Sequence, residues 1–270
     1  MSQPMPTYFI SHGGGPWPWI PAMRQIFANL ERSLTDMVAA FPERPKAILM
    51  VSGHWETDYV RIMSGARPGM VYDYSGFPPE TYKVVYPAPG APAIAERAAA
   101  LLARAGIAAS LDAAQGFDHG TFAPMAVMYP AADMPLLQLS ILRSFDPAAH
   151  IAIGRALAPL RADGVAIIGS GLSFHNLRLF GPAAMQPSNA FDAWLAEALA
   201  LPPAAREAAL LNWEQAPFAR VCHAREDHLV PLFVALGAAG ADAASRIYHD
   251  VNLMGGVTAS SYRFSADATG

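Results

Sequence analysis

Short runs of apolar and β-branched residues alternate along the chain with longer stretches rich in alanine and leucine. The short runs have the length and composition of buried strands, and alanine and leucine favour helices. This pattern predicts strands over residues 8–10, 47–51, 134–141, 165–168 and 245–251. It predicts helices over residues 21–40, 91–105, 147–161, 189–199, 204–213 and 227–236.

The alternation of strands and helices indicates the fold class. Strands separated by helices of about 10 to 15 residues are typical of βαβ units with parallel neighbouring strands. We therefore expect an α/β fold with a central, largely parallel or mixed sheet flanked by helices. No long linker and no shift in composition divides the chain, so residues 1–270 are expected to form a single domain.

Composition and charge narrow the class of ligand. Hydrophobic residues make up 53% of the chain, which suits a large buried core. The net charge is −4 and the basic residues are scattered, which argues against a nucleic-acid partner. No apolar run approaches the ~18 residues of a membrane span, and the N-terminus lacks the pattern of a secretory signal. A single cysteine, Cys222, cannot form an internal disulfide. These features predict a cytoplasmic protein with small-molecule ligands and no membrane contact.

Three histidines follow predicted strands. His12 and His54 come just after the first and second strands, and His175 comes shortly after the fourth. Ligands of open α/β sheets bind outside the carboxyl ends of the strands. We therefore expect these histidines to converge at that edge, although they are far apart in sequence.

Two further histidines directly follow a carboxylate. Asp118 precedes His119, and Asp227 precedes His228 at the start of a predicted helix. A histidine ligand commonly donates its second ring N–H to a carboxylate, which orients the ring. Taken together, the five histidines predict a dispersed, histidine-rich metal site.

The remaining histidines and the cysteine have simpler interpretations. His150, His223 and His249 lie in helical or strand patterns without neighbouring glycines, so we expect them to be structural. Cys222 has no Cys-x-x-Cys partner and is expected to be an inert, packed thiol. The sequence has no phosphate loop, dinucleotide fingerprint, serine nucleophile elbow or zinc-binding helix motif.

Five short motifs occur in a characteristic order: SHGGGP at 11–16, SGHWE at 52–56, DHG at 118–120, GSGLSFHNL at 169–177 and DHLVPL at 227–232. In this order they resemble the motifs of DODA-type extradiol ring-opening dioxygenases. That group belongs to the LigB-like (class III) superfamily and includes the 4,5-DOPA dioxygenases. The resemblance runs from about residue 7 to residue 265.

The resemblance implies an enzyme that opens the ring of a small aromatic diol with O2 at a metal site on one edge of the sheet. His12, His54 and His228 correspond to metal ligands. His175 corresponds to the histidine beside the metal, which acts as acid and base in turnover and completes the coordination in zinc-containing members. His119 corresponds to the second active-site histidine, near substrate or oxygen. Fe(II) is the expected catalytic metal, and Zn(II) is an alternative bound metal.

One position departs from the wider superfamily, which commonly supplies two histidines and a glutamate. Here the third position is His228, as in the DODA-type branch, and Glu56 and Glu226 are nearby carboxylates that remain alternative ligands. An all-histidine set also suits Zn²⁺. Two other functions therefore stay open: a zinc-dependent hydrolase, in which His175 or Glu56 activates water, and a non-catalytic metal-binding relative.

Two features bear on the substrate. The proline-rich stretch 77–92 contains or adjoins four tyrosines, Tyr72, Tyr74, Tyr82 and Tyr86. Loop aromatics often line small-molecule pockets, although loop tyrosines also pack on protein surfaces, and both interpretations stay open. Candidates for binding a substrate carboxylate are Arg143, Arg225 and, first among them, Arg178.

Overall fold

The computed structural model describes residues 3–266. The strands are β1 (Thr7–Ser11), β2 (Ala47–Thr57), β3 (Val60–Met63), β4 (Ala109–Asp112), β5 (Leu136–Leu142), β6 (Val165–Gly171), β7 (Ala243–Leu253) and β8 (Val257–Ser265). The α-helices are α1 (Pro21–Ile26), α2 (Ala28–Ala39), α3 (Pro92–Arg104), α4 (His119–Met128), α5 (Pro147–Leu157), α6 (Pro159–Ala162), α7 (Pro182–Ala200), α8 (Pro203–Leu211), α9 (Ala219–Cys222) and α10 (Val230–Ala239).

The strands form one sheet in the order β4-β3-β5-β2-β6-β1-β8-β7. The four central strands, from β5 to β1, pair in parallel. β3 and β8 join this central part in antiparallel orientation. The prediction of an α/β domain with a mixed sheet flanked by helices is therefore confirmed.

The core lies around the central strands. Every residue of β6 is buried, as are the first seven residues of β2, which is the pattern of strands covered on both faces. Every residue of α10 is also buried. None of the helices within residues 3–266 is long and apolar enough to cross a membrane.

Several elements were missed because their sequences lack the expected periodicity. β3 and β4 have four residues each, too few for alternation to be visible, and β8 mixes serine and threonine with apolar residues. α4 is buried over most of its length and contains Gly120 and Pro124, so it lacks the one-sided apolar stripe of a surface helix.

Several predicted helix boundaries also differ from the structure. The helix predicted over 21–40 is divided into α1 and α2, which meet at Phe27. The helix predicted over 227–236 begins only at Val230. Asp227 and His228 consequently lie in the loop before α10, where their side chains are not constrained by helical geometry.

The carboxyl ends of β1, β6 and β2 lie side by side. Ser11 of β1 pairs with Gly171 of β6, and Ser52 of β2 pairs with Ser170 of β6. β2 then continues through an irregular segment in which the register against β5 shifts, and His54 lies in this segment. Such bulges redirect side chains next to functional sites. The sheet thus brings the residues after β1 and those within β2 to one edge.

Candidate metal centre

All five histidines singled out in the sequence line one pocket at the carboxyl edge of the central strands: His12, His54, His119, His175 and His228. The cavity has a volume of about 650 Å³, within the size range of small-molecule sites. The predicted convergence therefore occurs, and the pocket is larger than a single aromatic ring requires.

The Nε2 atom of one ring, His54, lies close to the Nε2 atoms of two others. The Nε2 atom of His54 lies 3.3 Å from that of His12 and 3.1 Å from that of His228. Two nitrogens bound to one tetrahedral ion at ~2.1 Å would be about 3.4 Å apart. Both distances therefore fit pairs of ligands on a single metal ion.

Close backbone contacts bring His228 against the two strands. A Cβ atom on Gly53, in β2, would lie 2.8 Å from the carbonyl oxygen of Asp227. A Cβ atom on Gly171, at the end of β6, would lie 2.0 Å from the carbonyl oxygen of His228. Glycine at both positions lets the loop before α10 lie directly on the sheet edge, which side chains would prevent.

A carboxylate that the sequence analysis missed joins two of the histidines. Asp73 has one oxygen 2.9 Å from Nδ1 of His119 and the other 3.1 Å from Nδ1 of His54. It also accepts a hydrogen bond from the backbone N–H of His119. Asp73 lies between two tyrosines in a segment without regular structure, and this acidic residue inside an aromatic loop was the available signal.

Asp118, the expected partner of the His119 ring, has a different role. Its side chain accepts hydrogen bonds from Ser52 Oγ at 2.8 Å, Gln138 Nε2 at 2.8 Å and the backbone N–H of Thr121 at 3.1 Å. It therefore caps α4 and ties that helix to β2 and β5. The orientation of His119 comes from Asp73 instead.

Asp227 is shared by the other two histidines. Its Oδ1 atom lies 3.1 Å from Nδ1 of His228 and 3.5 Å from Nδ1 of His175. The contact with His228 is not a hydrogen bond. Nδ1 of His228 has no hydrogen-bond partner within the described residues. The rings of His175 and His228 stack, with centroids 3.4 Å apart. His175 is therefore held beside His228 and remains partly exposed to the pocket.

Burial and mutual contact keep two of the central rings, His12 and His228, neutral. His54 differs: burial lowers its pKa, but the contact with Asp73 and the nearby Asp118 overcome this and raise it. Burial, together with the neighbouring His54 and His228, holds the pKa of His12 well below its usual value. Burial likewise lowers the pKa of His228. Burial raises the pKa of Asp73, but hydrogen bonds from His119 and His54 overcome this and hold it well below its usual range.

These protonation states explain why a cation fits. The ionised Asp73 lies 3.1 Å from Nδ1 of His54 and favours a proton on that atom, so in the neutral ring the lone pair is on Nε2. One lone pair cannot satisfy the ring nitrogens of both His12 and His228, which lie on either side of it. A cation shared by the three nitrogens satisfies all of them, and neutral imidazoles are the form that binds metals.

The two glutamates considered as alternative ligands are engaged elsewhere. Arg225 donates two hydrogen bonds to the carboxylate of Glu56, one of them 2.6 Å long. The carboxylate of Glu226 is 2.6 Å from the guanidinium of Arg220. Both carboxylates are therefore ion-paired in the structure, whereas the histidine nitrogens converge.

The aromatic loop, residues 72–92, supports both interpretations of its tyrosines. Tyr74 and Phe77 line the pocket, and their rings make an edge-to-face contact. Tyr72 and Tyr86 instead donate to the backbone carbonyls of Val84 and Tyr129 and so hold the loop in place. The loop thus supplies a pocket wall as well as its own support.

The arginine candidates are placed less favourably. Arg178 is exposed and does not line the pocket formed by the described residues. Arg143 is exposed and pairs with Asp58 at 2.9 Å. Arg225 does line the pocket, but it is paired with Glu56.

The three remaining histidines make local contacts. His150 bonds to the backbone of Asp146 and Leu142, and His223 contacts the carbonyl of Ser173. The Nδ1 atom of His249 lies 3.1 Å from a serine hydroxyl. These contacts agree with the predicted structural roles. Cys222 is buried, and burial raises the pKa of its thiol to about 12, as expected for an inert cysteine.

Comparison with known families identifies the class. Residues 7–265 match the family of the catalytic LigB subunit of aromatic ring-opening dioxygenases. The chain belongs to this family, whose members are metal-dependent, ring-cleaving dioxygenases. The resemblance seen in the five motifs is thereby confirmed, and ring cleavage is favoured over the hydrolase and the non-catalytic alternatives.

Individual relatives cover nearly the whole chain. The 4,5-DOPA dioxygenase extradiol of Beta vulgaris is 37% identical over 264 residues, and that of Portulaca grandiflora 35% over 269, each alignment covering 96% of both chains. Dioxygenase tasH of Hapsidospora irregularis is 37% identical, covering 91% of this chain and 81% of its own. The crystal structure of an uncharacterized protein from Escherichia coli K12 superposes with a TM-score of 0.77 at 29% identity, covering 97% of this chain and 100% of that one.

Proposed function

We propose that this protein is an Fe(II)-dependent extradiol dioxygenase that inserts O2 into a catechol and opens the ring next to the two hydroxyls. The carrying observation is that Nε2 of His54 lies 3.3 Å from Nε2 of His12 and 3.1 Å from Nε2 of His228, beside two further histidines. These three rings are the proposed metal ligands. Three protein ligands leave open positions, as a catalytic rather than a structural site requires.

When bound, Fe(II) would supply Lewis acidity toward the catechol oxygens and the electron-transfer chemistry that O2 activation needs. The protein's own contribution is to hold the diol and move its protons. The aromatic side chains of Tyr74 and Phe77 form a wall against which a flat ring can pack. This wall limits access of water to the reacting edge of the substrate.

His175 is the proposed acid and base. Its Nδ1 atom faces Asp227 at 3.5 Å, and its ring stacks on His228 and lines the pocket. With Nδ1 protonated, Nε2 carries a lone pair that can accept the hydroxyl proton of the substrate and return it later. Imidazole suits this role because it exchanges protons near neutral pH.

His119 is the proposed second active-site histidine, next to the substrate or oxygen. Its Nδ1–H group donates to Asp73 at 2.9 Å, and its ring lies 4.0 Å, between centroids, from that of His54. Asp73 thus fixes the ring so that Nε2 faces away from the carboxylate. That atom is available for a hydrogen bond to a group bound in the pocket.

The test is anaerobic reconstitution with Fe(II), followed by addition of O2 and a panel of catechols. We expect a yellow ring-opened product with one O2 consumed per catechol, and none from the Zn(II)-loaded protein run in parallel. Absence of O2 uptake with every catechol, in protein shown to contain iron, would contradict the proposal. Turnover with zinc but not iron would contradict the metal assignment alone.

A further inference from the structure

The outer part of the pocket differs in chemistry from the histidine part. Its lining includes large apolar side chains that are exposed: Leu177 at 71%, Phe180 at 40% and Met254 at 45% of their full accessible area. Isolated exposed apolar residues are ordinary, but a group of them around one cavity marks a ligand-binding surface. We call Leu177, Phe180, Leu253, Met254 and Val257 the apolar wall.

The apolar wall is a built surface assembled from two segments. One is the loop after His175, and the other is the turn between β7 and β8. The turn packs tightly on the loop, because a Cβ atom on Gly256 would lie 2.2 Å from the carbonyl oxygen of Gly181. Met254 holds a left-handed backbone conformation with φ of 51°, which non-glycine residues adopt only when their surroundings require it.

A second group of apolar side chains also lines the cavity. Met23, Phe27 and Phe77 line it next to the glycine-rich turn that follows β1. The space that a Cβ atom on Gly15 would occupy lies 2.6 Å from the Phe77 ring, so that ring packs directly on the turn. A substituent that extends from a catechol ring at the histidines toward solvent would therefore meet apolar side chains from both groups.

The charges in the pocket disfavour an acidic substituent. Three carboxylates line the cavity, Glu56, Asp73 and Asp227, against one guanidinium, that of Arg225. Arg225 is already engaged: it donates two hydrogen bonds to Glu56 and lies over the Phe145 ring at 4.6 Å. Within the described residues that line the pocket, no other arginine or lysine is present to bind a substrate carboxylate.

We propose that the apolar wall is a substituent subsite, and that the preferred substrates are catechols with an uncharged, apolar substituent. This inference rests on the proposed ring-opening function and names its substrate class. It separates this chain from an enzyme adapted to an amino-acid substrate such as DOPA, whose carboxylate would need a free cation. Burying each additional methylene against the apolar wall should strengthen binding about threefold to fourfold.

The experiment compares kcat/KM of the Fe(II)-loaded protein for catechol, 4-methylcatechol, 4-ethylcatechol, 4-butylcatechol, DOPA, dopamine and 3,4-dihydroxyphenylpropanoate. We expect kcat/KM to rise about threefold per methylene and to be at least tenfold lower for the propanoate than for 4-butylcatechol. A ranking led by DOPA or the propanoate would overturn the subsite, and a ranking led by dopamine would show that the carboxylates, not the apolar wall, select the substituent.

Phe180→Ala, with Phe218→Ala as matched control, tests the wall itself. Phe218 has the same side chain and a similar exposure, 41%, but does not line the pocket. The ratio of kcat/KM for 4-butylcatechol to that for catechol should fall at least fivefold in Phe180→Ala and stay unchanged in Phe218→Ala. Equal ratios in both variants would overturn the subsite.

Anaerobic calorimetry separates this inference from the proposed function. Binding of the alkylcatechols to metal-loaded protein should tighten with chain length whether or not ring opening follows. Tightening without O2 uptake would support the subsite and contradict the dioxygenase proposal. Ring opening without any dependence of binding on chain length would support the dioxygenase proposal and overturn the subsite.

Discussion

Two carboxylates, each shared by two histidines, divide the histidine site into halves that are built differently. Asp73 contacts His54 with one oxygen and His119 with the other, at 3.1 and 2.9 Å. Asp227 uses a single oxygen, Oδ1, for both of its histidines, at 3.1 and 3.5 Å. Its other oxygen lies 3.4 Å from the Arg225 guanidinium.

The two carboxylates hold their histidines differently. Asp73 fixes its two rings, whereas Asp227 leaves one of its rings able to exchange a proton. In the Asp73 half each ring has its own acceptor, so both orientations and both tautomers are fixed. In the Asp227 half the acceptor is shared and is also drawn toward Arg225, and the ring of His175 is held mainly by stacking on His228. The looser half is where we place the acid and base.

The largest effect should come from His12→Ala, because this change removes a proposed metal ligand. His12 belongs to neither half, and its ring contacts those of His54 and His228. Removing a ligand should cost more than the ~10- to 100-fold that loss of a supporting residue costs. We expect metal content, measured by mass spectrometry of the purified protein, to fall to background together with activity. Retention of stoichiometric metal would show that His12 is not a ligand.

His175→Ala should separate chemistry from metal binding. If His175 acts as the acid and base, turnover should fall by ~10² to 10⁴ while metal content persists. Parallel metal analysis and O2-uptake assays measure both. Full activity would refute the role, and loss of metal with loss of activity would instead place His175 among the resting ligands.

The comparison itself is tested by Asp73→Asn against Asp227→Asn. An asparagine retains one acceptor oxygen, which is enough for one ring but not for two. Because Asp73 uses both oxygens, its variant should lose ~10- to 100-fold in metal affinity, and the Asp227 variant less. Metal-competition titrations with a chelator measure this. Asp58→Asn, at an exposed carboxylate paired with Arg143, is the control and should bind metal normally. Equal losses of metal affinity in the two variants would show that the two carboxylates hold their histidines in the same way.

The sequence predicted the sheet and the five histidines for a clear physical reason. β1, β2 and β6 are apolar runs whose carboxyl ends must meet in a parallel sheet, so the residues that follow them must meet as well. The pairing of Ser11 with Gly171 and of Ser52 with Ser170 shows this directly.

The contacts that orient the histidines could not be predicted in the same way. Asp73 lies in a segment without helix or strand, so no periodicity indicates where its side chain points. Asp118 was assigned to His119 because the two are adjacent in sequence, yet its side chain turns into the core to Ser52 and Gln138. The side chains of two adjacent residues at the start of a helix point in different directions. The contacts that orient the histidines are tertiary, and adjacency in sequence does not reveal them.

The smallest effect concerns a histidine outside both halves, whose ring is held by backbone groups instead of a carboxylate. The Nδ1 atom of His150 lies 2.7 Å from the Asp146 carbonyl oxygen, and its Nε2 atom accepts from the backbone N–H of Leu142 at 2.9 Å. Burial lowers the pKa of His150 below its ordinary 6.5. The folded protein therefore takes up this proton less readily than the unfolded chain does.

Since the unfolded chain binds the proton first, the free energy of unfolding should fall as the pH drops below about 6.5, by at most about 1.4 kcal/mol per pH unit from this group. His150→Gln removes that contribution but keeps a donor and an acceptor. Denaturant titrations of the two metal-free proteins should show a stability difference that is constant between pH 7.5 and 8.5. Between about pH 6.5 and 5.5 the wild type should lose more stability than the variant. A pH-independent difference would show that His150 takes up its proton in the folded state as readily as in the unfolded one, and that burial does not hold it neutral.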